Sequence, residues 1–490
     1  MTAPSPTPRP ATAFSLLLAL VAMAFGALLL AGPIATFDQG IWGPHAPYLH
    51  RDFLGAVWLF WAEGAGGSEF WLSQQSWPQG GLPLVFHIPN PWDGWLLHDL
   101  TLPEGWNRMQ LGHHLANLGA AALFVRSTGA GPRGTLGAMA LLAASPLMLH
   151  EIAGGRTLSG VAWPGLLALA LLPVEGAAAG IGAGLLLGLQ GLCYLYSGLL
   201  FGLAALLLRP RAGLLAAGLL MAPYAAYLAP LWSGLDTGAP PAGFTRLPLA
   251  GLFTAEAVPE RFRLAPGLLL GLLGGLLPGR GRLLAVVLLA GLVALGDRPS
   301  WALGGGSVAS PLAWVLWAVP GLGRMHHPVR ALFLLLPALA ALVAALLDRL
   351  PRSALLLPLA LALCMTGQVE RAAAVAQPVE PPGMASAAWL ADKEGAIVDL
   401  TGEGGEALGL QIRHGRPIAE GLRQGRGDLS ARTRAWAAGE ADATVLSELR
   451  AAGFTYLLVV ERRGPVDVSR IEAALGPPVG PGVYALATPP

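Results

Sequence analysis

The residues of this chain whose types could do chemistry gather in four short stretches. His50-Arg51-Asp52 stands just before an apolar, helix-like run from Phe53 to Trp61. A helix dipole favours the ionised form of a carboxylate at its start. Asp52 so placed can take a proton from an acceptor hydroxyl or hold a metal ion; it can equally be an N-cap. Asp38 is the rival carboxylate, and Glu151 and Arg156 lie in a second stretch, His150-Glu151-Ile152-Ala153-Gly154-Gly155-Arg156. Arg324-Met325-His326-His327-Pro328-Val329-Arg330 forms the third. A guanidinium fork there suits a phosphate, and it suits the plain anchoring of a helix end as well. The fourth, Gln411 with His414-Gly415-Arg416-Pro417, reads either as part of a site or as a turn whose side chains satisfy buried backbone. A divalent metal ion held by His and acids is the one cofactor these types suggest, although no ligand spacing singles one out. There is no glycine-rich phosphate loop with its Lys, no zinc-protease helix and no nucleophile elbow, which argues against ATP-driven transport and serine hydrolysis.

The elements that must position these residues are mostly apolar. Of 490 residues, 54% are apolar and 12% charged, about half the charged share of a soluble domain; mean hydropathy is +0.58. A net charge of +1 without a basic patch excludes a nucleic-acid partner. Cys193 and Cys364 both sit in apolar runs and suit neither a disulfide framework nor a metal cage. The expectation is a polytopic α-helical membrane protein.

Apolar runs near the length of a membrane span recur at 11–31, 109–125, 134–149, 157–174, 177–192, 195–208, 212–232, 266–279, 283–296, 331–347 and 353–369, and none holds Asp, Glu, Lys or Arg. That absence argues against an ion-coupled carrier. Residues 177–208 read as one long helix or as two meeting at Cys193–Gly198. Two are preferred, because eleven spans place Arg9, Arg126, Arg133, Arg209, Arg211, Arg280, Arg282, Arg349 and Arg352 together on the cytoplasmic side with the N-terminus.

Residues 1–10 are then a disordered cytoplasmic N-terminus and 11–369 the transmembrane domain. Residues 32–108 form a first external loop and 370–490 an external tail. The loop holds eight of the fifteen Trp, read as an aromatic belt in contact with membrane lipids or as a lipid- or sugar-facing groove. In the tail, strand-like runs at 396–400, 456–460 and 483–486 alternate with helical patterns such as 442–452, with Asp442 as N-cap and Gly453 as stop, which predicts a small α/β domain.

This layout resembles the GT-C superfamily, membrane glycosyltransferases that take sugars from polyprenyl-phosphate carriers, and more narrowly its bacterial YfhO-type members. The likeness rests on His50-Arg51-Asp52 with Trp58 and Trp61, Trp77-Pro78-Gln79-Gly80-Gly81, Pro91, Trp106-Asn107, Ser145-Pro146, Gly155-Arg156, His326, Pro328, Arg330 and the Gln411…His414-Gly415-Arg416-Pro417 stretch. It implies a bacterial inner-membrane enzyme with a periplasmic tail and a polyprenyl-phosphate-linked sugar as substrate. Asp52 would be the catalytic carboxylate and Glu151 a second acid lining the cavity. Arg156, Arg324 and Arg330 would hold the donor phosphate. Asp38, His326, Gln411 and His414 would stand at the acceptor or in a covering tail. A lipid or glycolipid flippase and a non-catalytic envelope assembly protein are the alternatives.

Overall fold

The computed structural model describes residues 13–35, 41–42, 57–58, 61, 72–73, 82–83, 104–145, 160–220, 266–296, 328–364, 375–376, 383–400, 404–419, 428–442, 444–460 and 466–486. They fall into two compact units. One is drawn from residues 1–35, 110–153 and 157–374, the other from 36–109, 154–156 and 375–490. The first-loop segment is thus grouped with the tail.

The first unit is helical, and a helix falls in each of the eleven apolar runs: α1 (Ala13–Leu29), α2 (Glu104–Ser127), α3 (Pro132–Ala143), α4 (Trp163–Leu171), α5 (Ala177–Cys193), α6 (Leu195–Leu208), α7 (210–220), α8 (Gly271–Gly275), α9 (Gly281–Leu295), α10 (Leu332–Leu347) and α11 (Leu356–Cys364). Among the described residues no helix is long and apolar enough to cross a membrane. The expected break in 177–208 falls at Tyr194, whose backbone is extended (φ −156°, ψ 109°).

Helix α10 is apolar on every face and buried on every face; Leu346 alone is not fully covered. Glycines let its neighbours approach its backbone. A Cβ added to Gly271 of α8 would lie 2.7 Å from the Leu339 carbonyl oxygen, and one on Gly274 or on Gly134 of α3 would run into the carbonyls of Leu342 and Ala344. The outer helices are the reverse case, since Leu20 and Leu28 of α1, Leu185 of α5, Leu214 of α7, Leu288 of α9 and Leu356 of α11 are each more than 60% exposed.

At one end of this unit the helix termini cap one another. The backbone amides of Gly131 and Gly134, at the start of α3, donate to the Asp348 carboxylate just past α10, the second at 3.0 Å. In return Arg133 donates to the carbonyls of Leu347 and Leu350 at 2.7 and 2.8 Å. Arg280 donates to Thr128 O after α2 at 2.5 Å, and Arg282 to Leu208 O at the end of α6 at 3.1 Å. Cations at the carboxyl ends and an anion at an amino end complement the helix dipoles.

The second unit holds a small mixed sheet. Strand β5 (Ala396–Asp399) lies parallel to β6 (Phe454–Leu458), which pairs antiparallel with β7 (Val483–Ala485). Residues around Ile418 add a parallel edge next to Ile397. Alternate residues face two buried layers: Ile397, Tyr456 and Leu458 pack towards α12 (Met384–Ala391) and α13 (Gly404–His414), whereas Val398, Leu457 and Val459 pack with α14 (Asp428–Ala437), α15 (Val445–Ala451) and α16 (Val468–Leu475). A sheet covered on both faces is mostly apolar, as these strands are apart from Asp399 and Thr455.

The expected cap of α15 is displaced by two residues. Thr444 is its N-cap, and Asp442 accepts from the Thr444 backbone N–H at 3.2 Å while gripping Arg432 at 2.8 Å. That hydrogen bond from Arg432 holds the Asp442 carboxyl down at about 2. First-loop residues reach this unit at β1 (Ile41–Trp42), antiparallel to β4 (Val375–Ala376), and at Val57 and Trp58; β2 (Leu72–Ser73) pairs with β3 (Leu82–Pro83).

Gly134→Ala is expected to force α3 off α10 and destabilise the helical unit by roughly 1–3 kcal/mol, the cost of overpacking. Gly291→Ala in α9, where an added Cβ meets nothing within 4 Å, should be neutral or stabilising by up to about 1 kcal/mol. Thermal unfolding of the purified full chain in one detergent separates the two.

Candidate functional site

Opposite in character to the Arg-capped end is a set of buried polar side chains near the start of α4. Helix α2 is amphipathic in an unusual sense: Asn107, Gln110, His114 and Asn117 recur at helical spacing and are all buried, so its polar stripe faces inward. Farther along, Leu118 to Val125 holds only apolar and glycine residues, with Leu118, Ala121, Ala122, Phe124 and Val125 at 1% exposure or less.

Asn117 bridges to the chain entering α4. Its Nδ2 donates to Gly160 O at 2.7 Å, and its Oδ1 accepts from Ala162 N at 2.8 Å. Gln190, near the end of α5, completes the cap. Its Oε1 accepts from Gly165 N at 3.0 Å, and its Nε2 donates to Val161 O at 2.7 Å and Ser197 Oγ at 2.8 Å. These two amides supply what α4 lacks, since its own N-cap, Ala162, offers no side-chain acceptor. A helix start buried without partners would be costly.

Beside this cap, Trp163 Nε1 donates to His113 Nδ1 at 3.3 Å. Arg330 enters from the turn that leads into α10. Its Nη1 donates to the Tyr194 hydroxyl at 2.7 Å, and its guanidinium carbon stands 5.2 Å from the Tyr194 ring centroid. Tyr194 sits edge-on to Tyr196 at 5.5 Å. The break between α5 and α6 therefore has a use: it turns an aromatic hydroxyl towards the guanidinium. This end of the helical unit unites a cation, aromatic rings and neutral hydrogen-bonding groups, a combination that can hold an anionic headgroup and a sugar.

Gln411 and His414 are in the second unit, at the end of α13. There Gly415 takes a left-handed conformation (φ +67°) and donates to Gln411 O at 2.7 Å, a glycine stop. Arg416 N donates to His414 Nδ1 at 3.0 Å, and the Gln411 Nε2 donates to Arg416 O at 3.0 Å. The chain then joins the sheet, with Ile397 N donating to Pro417 O at 2.9 Å. The Gln411 Oε1 accepts the indole N–H of Trp58 at 2.8 Å. Burial, and then the neighbouring Arg416 charge, lower the His414 pKa to about 4.

Of the residues singled out from sequence, Arg330, Gln411 and His414 are placed by the structure, the first in one unit and the other two in the second. Asp38, Asp52, Glu151, Arg156, Arg324 and His326 lie outside the described residues. Asn117, Gln190, Trp163 and Tyr194 were not picked out. The signal was present in the i, i+3, i+7, i+10 spacing of polar residues along α2.

The sequence matches no protein-family model and no curated protein. In three dimensions the chain is similar to Arabinofuranosyltransferase AftD from Mycobacteria, solved by single-particle cryo-EM, with TM-score 0.56 and 20% identity over 94% of this chain and 36% of that one. A mutant of AftD matches with TM-score 0.56 and 18% identity over 94% of this chain and 37% of its own. The chain thus spans little more than a third of the solved protein it matches. At this identity the likeness is one of fold alone.

The depressed His414 has a consequence for the tail. Its folded value, about 4, lies below the usual 6.5, so as pH falls the unfolded chain takes up a proton that the fold refuses. Tail stability should be highest above pH 6.5 and fall by about 3 kcal/mol in all as pH drops towards 4. His414→Gln should flatten that part of the profile. Thermal unfolding of the full chain between pH 7.5 and 4.5 reads both.

Proposed function

We propose that this chain is a membrane glycosyltransferase of GT-C type, moving a sugar from a polyprenyl-phosphate carrier to a periplasmic or lipid acceptor. The observation that carries the reading is its fold likeness to AftD, an arabinofuranosyltransferase. Transfer of a pentose or a hexose fits equally. The bacterial inner membrane is the proposed location, with the N-terminus cytoplasmic and the tail periplasmic. The exposed leucines of α1, α5, α7, α9 and α11 support a membrane setting, since apolar side chains exposed to water in this number would drive association.

In this reading the acceptor hydroxyl attacks the anomeric carbon, with inversion, as Asp52 takes its proton. The bond from that carbon to the carrier phosphate oxygen breaks, and polyprenyl phosphate leaves with the electron pair. Arg330, held by Tyr194, stabilises the developing charge together with Arg156 and Arg324, and Glu151 lines the cavity. Asp38 and His326 are assigned to the acceptor side. Gln411 and His414 act from the tail. A divalent metal ion would draw its ligands from beyond the described residues, among which no three His, Cys, Asp or Glu come together. The inward polar stripe of α2 stops at Leu118, which suits a cavity entered from one end better than the through-path a flippase needs. No observation favours the scaffold reading.

Purified protein in nanodiscs with polyprenyl-phosphate sugars should release free polyprenyl phosphate. Asp52→Asn is expected to slow this by about 10²–10⁴-fold, the usual weight of a general base; unaltered release would remove Asp52 from catalysis. Arg330→Gln should lower turnover more than Arg330→Lys, because a lysine keeps the charge without the fork.

A further inference from the structure

The arginines at the capped end of the helical unit divide into two sets. Arg126, Arg133, Arg280 and Arg282 are committed to terminal carbonyls, those of Ala130, Leu347, Leu350, Thr128 and Leu208. Arg209, Arg211, Arg349 and Arg352 stand on the neighbouring turns, exposed, and make no hydrogen bond or ion pair among the described residues. The acids of these turns do not balance them. Asp348 is taken up by the amides of Gly131 and Gly134. Glu175 belongs to this end as well, because α5 runs beside α7 in the same sense, with Gly180 against Leu215 and Gly184 against Leu219. Burial, and then the charge of Arg349, lower the Arg280 pKa against the pull of Asp348, so like charges are held close here. Each exposed arginine pair also stands on bare leucine. Leu207, Leu214 and Leu215 lie within five residues of Arg209 or Arg211, and Leu350, Leu356 and Leu357 within five of Arg349 or Arg352, all of them exposed.

We infer that this end is a binding surface for anionic phospholipid, with Arg209 and Arg211 at one headgroup and Arg349 and Arg352 at another. A guanidinium takes a phosphodiester through its fork, and the leucines beside it take the acyl chains. A soluble phosphate would occupy the guanidiniums and leave the leucines bare. A zwitterionic headgroup brings a cation of its own into a crowd of arginines. In the proposed orientation this is the cytoplasmic face, where anionic lipid draws basic residues next to membrane spans. The inference rests on the membrane setting proposed above and not on sugar transfer.

The test uses the full chain in nanodiscs of dioleoylphosphatidylglycerol and dioleoylphosphatidylcholine in equal amounts. Native mass spectrometry counts the lipids that stay bound on release. The wild type should retain the glycerol lipid over the choline lipid by about tenfold, and added salt should lower that ratio. Arg209→Gln with Arg211→Gln, or Arg349→Gln with Arg352→Gln, should lower it about threefold, and all four changes should bring it to about one. Lysine at the four positions keeps the charge and should keep most of the preference. None of these changes touches a capping bond, so thermal unfolding in pure phosphatidylcholine discs should not move. A wild-type ratio of about one would overturn the inference, as would a preference that survives all four changes to Gln. Inorganic phosphate that erases the ratio, where chloride at the same ionic strength does not, would overturn the lipid in favour of a free phosphate. A full chain that stays monodisperse without lipid or detergent would remove the membrane setting itself, which is a different failure from equal retention of the two lipids.

Discussion

A helical unit this apolar depends on what its helix ends are bonded to. Each helix leaves several N–H and C=O groups without internal partners, and where leucine surrounds them water is not at hand. The two ends of the unit solve this differently. At one end ionic side chains do it: Asp348 takes the amides at the start of α3, and Arg133, Arg280 and Arg282 donate to terminal carbonyls of α10, α2 and α6. At the other end neutral amides do it, with Asn117 and Gln190 capping α4. Ionic caps suit a watery surface, where charge costs little. Neutral caps suit a dry interior, where an unpaired charge would be prohibitive.

The same logic accounts for the abundance of glycine. In the membrane proposed for this unit there is no strong hydrophobic drive between apolar helices, and close backbone approach has to supply the packing. Gly134, Gly271 and Gly274 bring α3 and α8 against carbonyls of α10. Helix α10 can then be covered on all sides by short elements. A tightly packed post of this kind gives the polar end something rigid to stand on, and Arg330 is on the turn that leads directly into it.

Much of the fold was legible in the sequence because periodicity and length report burial directly. The break at Tyr194 followed from the alternation of Arg between successive runs, a property of ends rather than of the apolar residues between them. The three tail strands followed from short β-branched and aromatic runs. The interior polar stripe was harder to read. Asn, Gln and His are uncharged, so a search for mid-span Asp, Glu, Lys or Arg passes over Gln110, Asn117 and Gln190. Trp58 was harder still. An indole in an acidic, Trp-rich loop reads as a belt or a groove, and nothing local says that its partner is Gln411 at the far end of the chain. Asp442 was misread as a cap for the opposite reason, a local signal outbid by Arg432.

The tail motif gains its meaning from that distant partner. Gln411 has to accept from an indole on one side and donate to the Arg416 carbonyl on the other, within the tight stop that Gly415 permits. Asparagine would be too short to span both. Glutamate would set an acceptor against the Arg416 carbonyl and bring a charge to a position with no exposure. Leucine would fill the volume and orphan two polar groups. Only a primary amide of glutamine's length meets both demands, so the residue type follows from the Trp58 contact as much as from the turn it ends. What resembles a short motif is therefore half of an arrangement, and the other half is Trp58.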